Sequence, residues 1–354
     1  MASRAFAGSG VIERYGELLQ LGASVPHVNL GEGNTPLIRA KSLEHRTGAA
    51  AVYLKLESCN PTGSFKDRGM VIAVAKAIDR GKTAVICAST GNTSASAAAY
   101  AAHCGLQAYV LIPYGSVAQG KLAQAIAFGA RLVTIKGSFD DAQSIVKKIG
   151  EKNGFAIVNS INPDRILGQS TGAFEIVDAL GNAPDIQCMP VGNAGNITAY
   201  WSGYKRYLTL GRCQNSPRLF GFQALGAAPI VDGAVVKKPK TVATAIRIGN
   251  PASWKAAVIA RDESNGDIRA ISDDAILVSH RQLAQDEGVF CEPASAISVA
   301  GLIEMKDQGF DFTGRTVVCV ITGNGLKDID TALKITANIR VAENSVESVE
   351  SVLD

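Results

Sequence analysis

The sequence predicts an α/β protein of two lobes, built on parallel sheets with helices on both faces. Three observations predict it. Short β-rich runs alternate with helical stretches from residue 52 to 160, and a second alternation starts near 166; βαβ repetition of this kind makes parallel sheets covered by helices. Many of the 36 glycines follow apolar runs, where strand-to-helix turns need them. The chain has 354 residues, more than the roughly 250 to 300 that one core supports, so two lobes are expected.

In order, the first alternation places strands at "AVYLKL", "TAVICA", "AYVLIP", "RLVTIK" and "FAIVNS", with helices over 65 to 80, 93 to 104, 117 to 129 and 139 to 152. The segment "INPDRILGQ" (161 to 169) reads as a crossing between lobes. The second alternation gives the helix "GAFEIVDALG", the strand "DIQCMPV", the helix "ITAYWSGYKRYL", and the strands "RLFGFQA" and "TVVCVIT". Tyr200, Trp201, Tyr204 and Tyr207 make one helix aromatic and offer a face to a sister subunit. The acidic tail "VAENSVESVESVLD" is expected to fray, with strand addition to a partner as the other option.

Composition excludes several classes. Hydrophobic residues are 47% and charged residues 19%, a globular balance, and the net charge is only +3. The one dense basic cluster, "KKPK" (237 to 240), reads as a solvated loop, and no basic stripe with aromatics points to nucleic acid. Seven scattered cysteines without CxxC suit a reducing compartment. The start lacks a secretory apolar core and no apolar run is long enough to cross a membrane, so a cytoplasmic protein is expected. His27, His45, His103 and His280 have no ligand spacing, and no metal site is predicted.

Chemistry is sought beyond the carboxyl ends of the strands, where open parallel sheets bind ligands. Three glycine-rich turns follow strands: "STGNTSAS" (89 to 96), "GNAGN" (192 to 196) and "TGNG" (322 to 325). "GNAGN" lets backbone amides approach an anion at a helix N-terminus, although a tight βα turn uses the same residues. In "STGNTSAS", Ser89, Thr90, Asn92 and Thr93 bring polar groups suited to a carboxylate or a polar ring substituent; taken by itself, the segment reads first as a capped helix start, with Thr93 or Ser94 as the cap. In "NPTGSFKDRG", Ser64 and Asp67 have the spacing of a loose capping box. That puts Lys66 in the first helical turn, where the macrodipole disfavours its charge. An amine that deprotonates readily is a nucleophile for carbonyls, while a salt bridge to Asp67 or Glu57 is the plainer reading. Taken together, the lysine, the phosphate cradle and the hydroxyl-rich turns fit pyridoxal 5'-phosphate (PLP).

Here the sequence resembles the fold-type-II PLP enzymes of the tryptophan synthase β-like family, and within it the threonine synthases of compact bacterial type. The resemblance covers almost all of 27 to 330 and rests on "GEGNTPL", "NPTGSFKDRG", "ASTGNTSAS", "NSINPDRILGQ", "VGNAGN", "AIRIGNPASW", "EGVFCEPASA" and "ITGNGLKD", in family order. It implies a catalytic unit over 27–330 with the active site between two lobes. The smaller, mobile lobe would be roughly 66–165, and the larger, cofactor-binding lobe 1–65 plus 166–354. It implies that Lys66 is the Schiff-base lysine, preceded by Phe65, and that Asn92 meets the ring hydroxyl. Gly192, Asn193, Ala194, Gly195 and Asn196 would hold the cofactor phosphate, and Thr322 would face the pyridine nitrogen. The implied substrate is O-phospho-L-homoserine, its carboxylate on Ser89, Thr90 and Asn92. Its phosphate would lie on Ser160 and Arg165, with Asn159 and Thr93 nearby. Arginine suits that task because its planar fork binds phosphate bidentately; the bland alternative for Arg165 is a surface position at a helix start. Glu292 is either a helix cap or a contact near the ring. The nearest rival is a threonine or serine dehydratase, which has no second phosphate to bind. A nicotinamide oxidoreductase would need GxGxxG after the first strand, which is not found, and a non-catalytic binding protein would not need Lys66. A homodimer is implied by the resemblance alone.

Overall fold

The computed structural model of the protein describes residues 8–114, 119–333 and 340–353. The chain forms β1 (Leu37–Arg39), β2 (Ala51–Leu56), β3 (Ala84–Ala88), β4 (Gln107–Pro113), β5 (Arg131–Ile135), β6 (Ala156–Ile157), β7 (Ile186–Pro190), β8 (Arg218–Ala224), β9 (Asp267–Ile271) and β10 (Thr316–Ile321). They make two sheets, a six-stranded one ordered β1-β2-β10-β7-β8-β9 and a four-stranded one ordered β5-β4-β3-β6. Every pairing is parallel except β1 with β2. The α/β fold read from the alternation is therefore present. β3, β7 and β10 are almost wholly buried. That explains their unbroken apolar spelling, since a central parallel strand is covered on both faces.

The sequence did not reveal β1 or β9, the two edges of the larger sheet. β1 has only three residues, and β9 spells "DIRAI", half-buried and interrupted by charge. The 117–129 helix runs over Gln119–Ala127, the start expected for it lying outside the described residues. "KKPK" lies in an exposed loop, and the tail carries a short exposed helix, Val346–Glu350, capped by Ser345.

One apolar cluster joins the inner faces of both sheets, from Val85 and Val110 through Met70, Phe174 and Tyr200 to Leu219 and Val318. The aromatic helix belongs to it, which corrects the expectation of a subunit face. Tyr200, Tyr204 and Tyr207 are fully buried within the chain. Tyr207 stacks on Phe174 with ring centroids 4.3 Å apart, Tyr204 bonds Gln187, and Trp201 donates to Glu263 at 2.6 Å. The helix faces an interior, where the polar tips of Trp201, Tyr204 and Tyr207 are bonded and the Tyr200 hydroxyl is enclosed without a partner.

Two helices position the chemistry. Lys66–Asp79 packs on Pro163–Gln169 through glycine at the crossing. A Cβ at Gly69 would fall 2.6 Å from the Arg165 carbonyl oxygen, and one at Gly168 would fall 2.0 Å from that of Arg68. Only bare backbone permits this approach. It is reinforced by Asp164, which takes Lys76 at 2.9 Å and Arg80 at 3.2 Å. Pro163–Gln169 is a proper helix, started by Asn162, whose side chain accepts the Asp164 N–H.

Candidate active site

The turn before Lys66 is tied to the end of β10. Phe65 N–H donates to the Thr322 carbonyl at 3.0 Å, and Asn324 N–H donates to that of Gly63 at 2.9 Å. The capping box expected between Ser64 and Asp67 does not form. Phe65 occupies the N-cap position without a side-chain cap, and the Ser64 backbone is committed to a bridge with Gly323. The Asp67 carboxylate instead accepts from the Thr62 N–H and hydroxyl, both at 2.7 Å, and from Ser96 at 2.6 Å. Burial pushes its pKa up to about 6 against those hydrogen bonds.

With Asp67 so engaged, Lys66 has no carboxylate. Glu57 is taken by Arg68, at 2.6 and 2.8 Å. The Lys66 ammonium position lies 4.1 Å from the Phe65 ring centroid, with no hydrogen bond or ion pair among the described residues. Its pKa falls to about 7, first through loss of solvent and then through the positive Arg165; Glu292 opposes the shift. The salt-bridge reading of Lys66 is thereby set aside, and near neutral pH much of the amine is free.

Arg165 is buried rather than at the surface, at 1% exposure. One nitrogen donates to the Val158 carbonyl at 3.1 Å, while Nε and Nη2 have no partner. Burial lowers its pKa to about 10. An enclosed guanidinium with two idle donors is costly unless an anion completes it. Ser160, just upstream, accepts a long hydrogen bond from Asn193 at 3.4 Å, which puts it beside the "GNAGN" turn.

That turn closes β7 and opens the helix Gly195–Thr209. Ala194 is left-handed, at φ 65°, and a Cβ at Gly192 would fall 3.0 Å from the Ile246 Cα. Both polar atoms of the buried Asn196 side chain lack partners. An unfilled amide at the start of a helix is what a phosphate cradle needs, so these residues fit the cofactor's phosphate. Following β10, the Thr322 hydroxyl pairs with Ser295 at 2.9 Å, and Ser295 also accepts the Gly323 N–H at 2.8 Å. A neutral hydroxyl pair there suits an unprotonated ring nitrogen.

After β3, the Ser89 hydroxyl accepts the Gly91 and Ser94 N–H groups, each at 3.3 Å. It therefore serves the start of the helix Asn92–His103, and the same turn carries Thr90 and Thr93. Asn92 donates across to Glu292 at 3.1 and 3.2 Å. Glu292 stands at the N-cap of Pro293–Asp307 but makes no side-chain cap. Asn159 bonds the Ala88 N–H at 3.1 Å and carbonyl at 2.9 Å, extending β3 and keeping one amide N–H free.

Sequence reading missed the buried ion cluster behind the lysine. Arg68, fully enclosed, binds Glu57 and Glu175, and Lys55 binds Glu175 at 2.8 Å. Its signal was a charge inside each of two apolar helical patterns, Arg68 and Glu175, which bury only when paired. Ser295 and Lys327, the latter bonded to Gln124, were also not singled out.

A depressed amine, an anion cradle and a second open cation on the ends of parallel strands make an enzyme site for a phosphorylated carbonyl cofactor. The chain belongs to the pyridoxal-phosphate dependent enzyme family, whose sequence pattern matches residues 28–323. It is 55% identical to the threonine synthase of Synechocystis over 93% of this chain and 86% of that protein. It is 54% identical to that of Halalkalibacterium halodurans over 96% of each. Against that of Methanocaldococcus jannaschii it is 46% identical over 91% of this chain and 82% of the relative. Among solved structures, maize serine racemase superposes with a TM-score of 0.73 at 19% identity, covering 93% of this chain and 97% of that one. The processed form of threonine deaminase isoform 2 from Solanum lycopersicum gives 0.72 at 22%, covering 85% and 81%. These two establish the shared fold alone.

Proposed function

We infer that the chain carries the threonine synthase activity, converting O-phospho-L-homoserine and water to L-threonine and phosphate as a PLP-dependent lyase. The observation that carries it beyond the family is Arg165, a buried cation with unused donors beside the reactive lysine. A dehydratase substrate has no phosphate to bring there.

Bound PLP supplies an electron sink for negative charge at the substrate's α-carbon. In our reading, Lys66 holds it, Asn92 meets the ring hydroxyl, the turn 192–196 takes its phosphate, and Thr322 faces the ring nitrogen. Phe65 packs beside the lysine amine. Lys66, with a pKa of about 7, takes and returns protons at the substrate's carbons near neutral pH. Ser89, Thr90 and Asn92 orient the carboxylate. Arg165 and Ser160 hold the leaving phosphate, with Thr93 and the free N–H of Asn159 beside them.

Three coarser properties belong to the same proposal. Seven free thiols suit the cytoplasm; among the described residues no helix is long and apolar enough to cross a membrane. A homodimer is expected, to be read by sedimentation. The segment 66–165 is proposed to shift as a lobe against the rest, since Asn92 to Glu292 and Gln124 to Lys327 are side-chain links able to break and reform. The deciding assay is phosphate release from O-phospho-L-homoserine with threonine as stoichiometric co-product. Ammonia and a keto acid from unphosphorylated threonine, with no phosphate-dependent turnover, would establish the dehydratase.

A further inference from the structure

Asn92 and Glu292 lie 200 residues apart, on different sheets. Asn92 begins a helix of the four-stranded sheet, and Glu292 precedes a helix packed on the six-stranded one. The Glu292 N–H is held by the Gly323 carbonyl at 3.0 Å. Its carboxylate fills the space above Gly323, where a Cβ would fall 2.4 Å from Oε1. An N-cap carboxylate ordinarily folds back on its own helix. Glu292 instead turns away and offers both oxygens to the Asn92 amide, at 3.1 and 3.2 Å, while only 5% exposed. The charged groups facing it are Lys327 and Lys66, which favour the ionised form, and Asp328, which opposes it; burial pushes its pKa up.

A carboxylate only accepts hydrogen bonds. Asn92 must therefore present nitrogen to Glu292, which fixes where its second N–H and its carbonyl oxygen point. We propose that Glu292 is a positioning residue, clamping the Asn92 amide across the cleft so that its second N–H meets the ring hydroxyl of bound PLP. The proposal rests on the cofactor reading of this site. Glu292 touches no reacting atom and acts through Asn92. A glutamine in its place can present either end of its own amide, so the constraint is lost.

The test uses cofactor-free wild type, Glu292→Gln, Asn92→Ala and the double variant, titrated with PLP. The dissociation constant and the position of the cofactor's absorbance band are both read. Glu292→Gln is expected to weaken binding about tenfold and to shift the band. Asn92→Ala should do the same, and the double variant should be no worse than Asn92→Ala, because both act through one amide. In a second pair, Asn92→Asp sets two carboxylates face to face, and adding Glu292→Gln should relieve that defect. This comparison holds even if a single variant is less stable. Unchanged binding and band in Glu292→Gln, multiplying losses in the double variant, or no relief in the second pair would overturn the clamp. Wild type that captures no PLP would overturn the cofactor reading and the clamp together.

Discussion

Two cations two residues apart, Lys66 and Arg68, meet opposite fates on one helix. Arg68 is wholly enclosed and saturated, with Glu57, Glu175, Thr35 and Thr171 on its donors. Lys66 has only an aromatic ring, and Arg165, its electrostatic neighbour, keeps two donors idle. Helical geometry turns successive residues by about 100°, so one side chain enters the packed interior and the other the cleft. Saturated charge holds structure together, whereas unsaturated charge costs stability and waits for a ligand.

The largest test of that contrast exchanges the losses. Lys66→Ala should cut threonine formation about a thousand-fold or more with little change in melting, whereas Arg68→Ala should destabilise the fold by about 3 to 5 kcal/mol by stranding the buried Glu57 carboxylate and leaving Glu175 bonded to Lys55. Thermal melts beside product assays decide it; an Arg68→Ala protein that melts like wild type breaks the comparison. Next, Arg165→Ala should raise KM roughly 10- to 100-fold, the worth of hydrogen bonds to a charged group, and leave melting unchanged or raised. An unaltered profile would remove the second anion site.

Acid should weaken both regions, each in its own pH window. Burial alone would raise the Glu175 pKa, but Arg68 and Lys55 hold it well below the carboxylate range. Its contribution to stability is thus full above the unfolded value of about 4.3 and is lost as pH falls through the native one. Lys66 moves stability in the same direction, in a window at higher pH. Its native pKa of about 7 lies below the unfolded value of about 10.4. The unfolded chain binds more protons between them, so its penalty eases as pH rises through that window. Melting of cofactor-free protein across pH reads both arms. The rate of PLP capture should drop roughly tenfold per unit below the Lys66 value, since only the free amine attacks. The smallest effect is expected from Ser89→Ala, about 1 kcal/mol of helix-start stability with a modest rise in KM, since its hydroxyl already accepts the Gly91 and Ser94 N–H groups; an unchanged KM would take the Ser89 hydroxyl out of carboxylate binding.

Local chemistry wrote much of this into the chain. Alternating apolar runs and glycine turns spell the parallel strands, because each buried strand and each βα turn is a short-range demand. The three turns after β3, β7 and β10 and the first-turn lysine were legible for the same reason. Short edge strands β1 and β9 carried too few residues to show a period, and the aromatic helix disclosed its burial but not what covered it.

By itself, then, the sequence determined the buried parallel strands, the glycine turns and the placing of Lys66 at a helix start. Tertiary structure alone decided that Asp67 and Glu57 would be spent elsewhere, that Gly69 and Gly168 would bring Arg165 to the lysine, and that Glu292 would reach Asn92. The physical reason is distance along the chain. Propensity and periodicity act over a few residues, whereas the charge on an amine is set by whatever side chains packing brings within a few ångströms, however far off in sequence they lie.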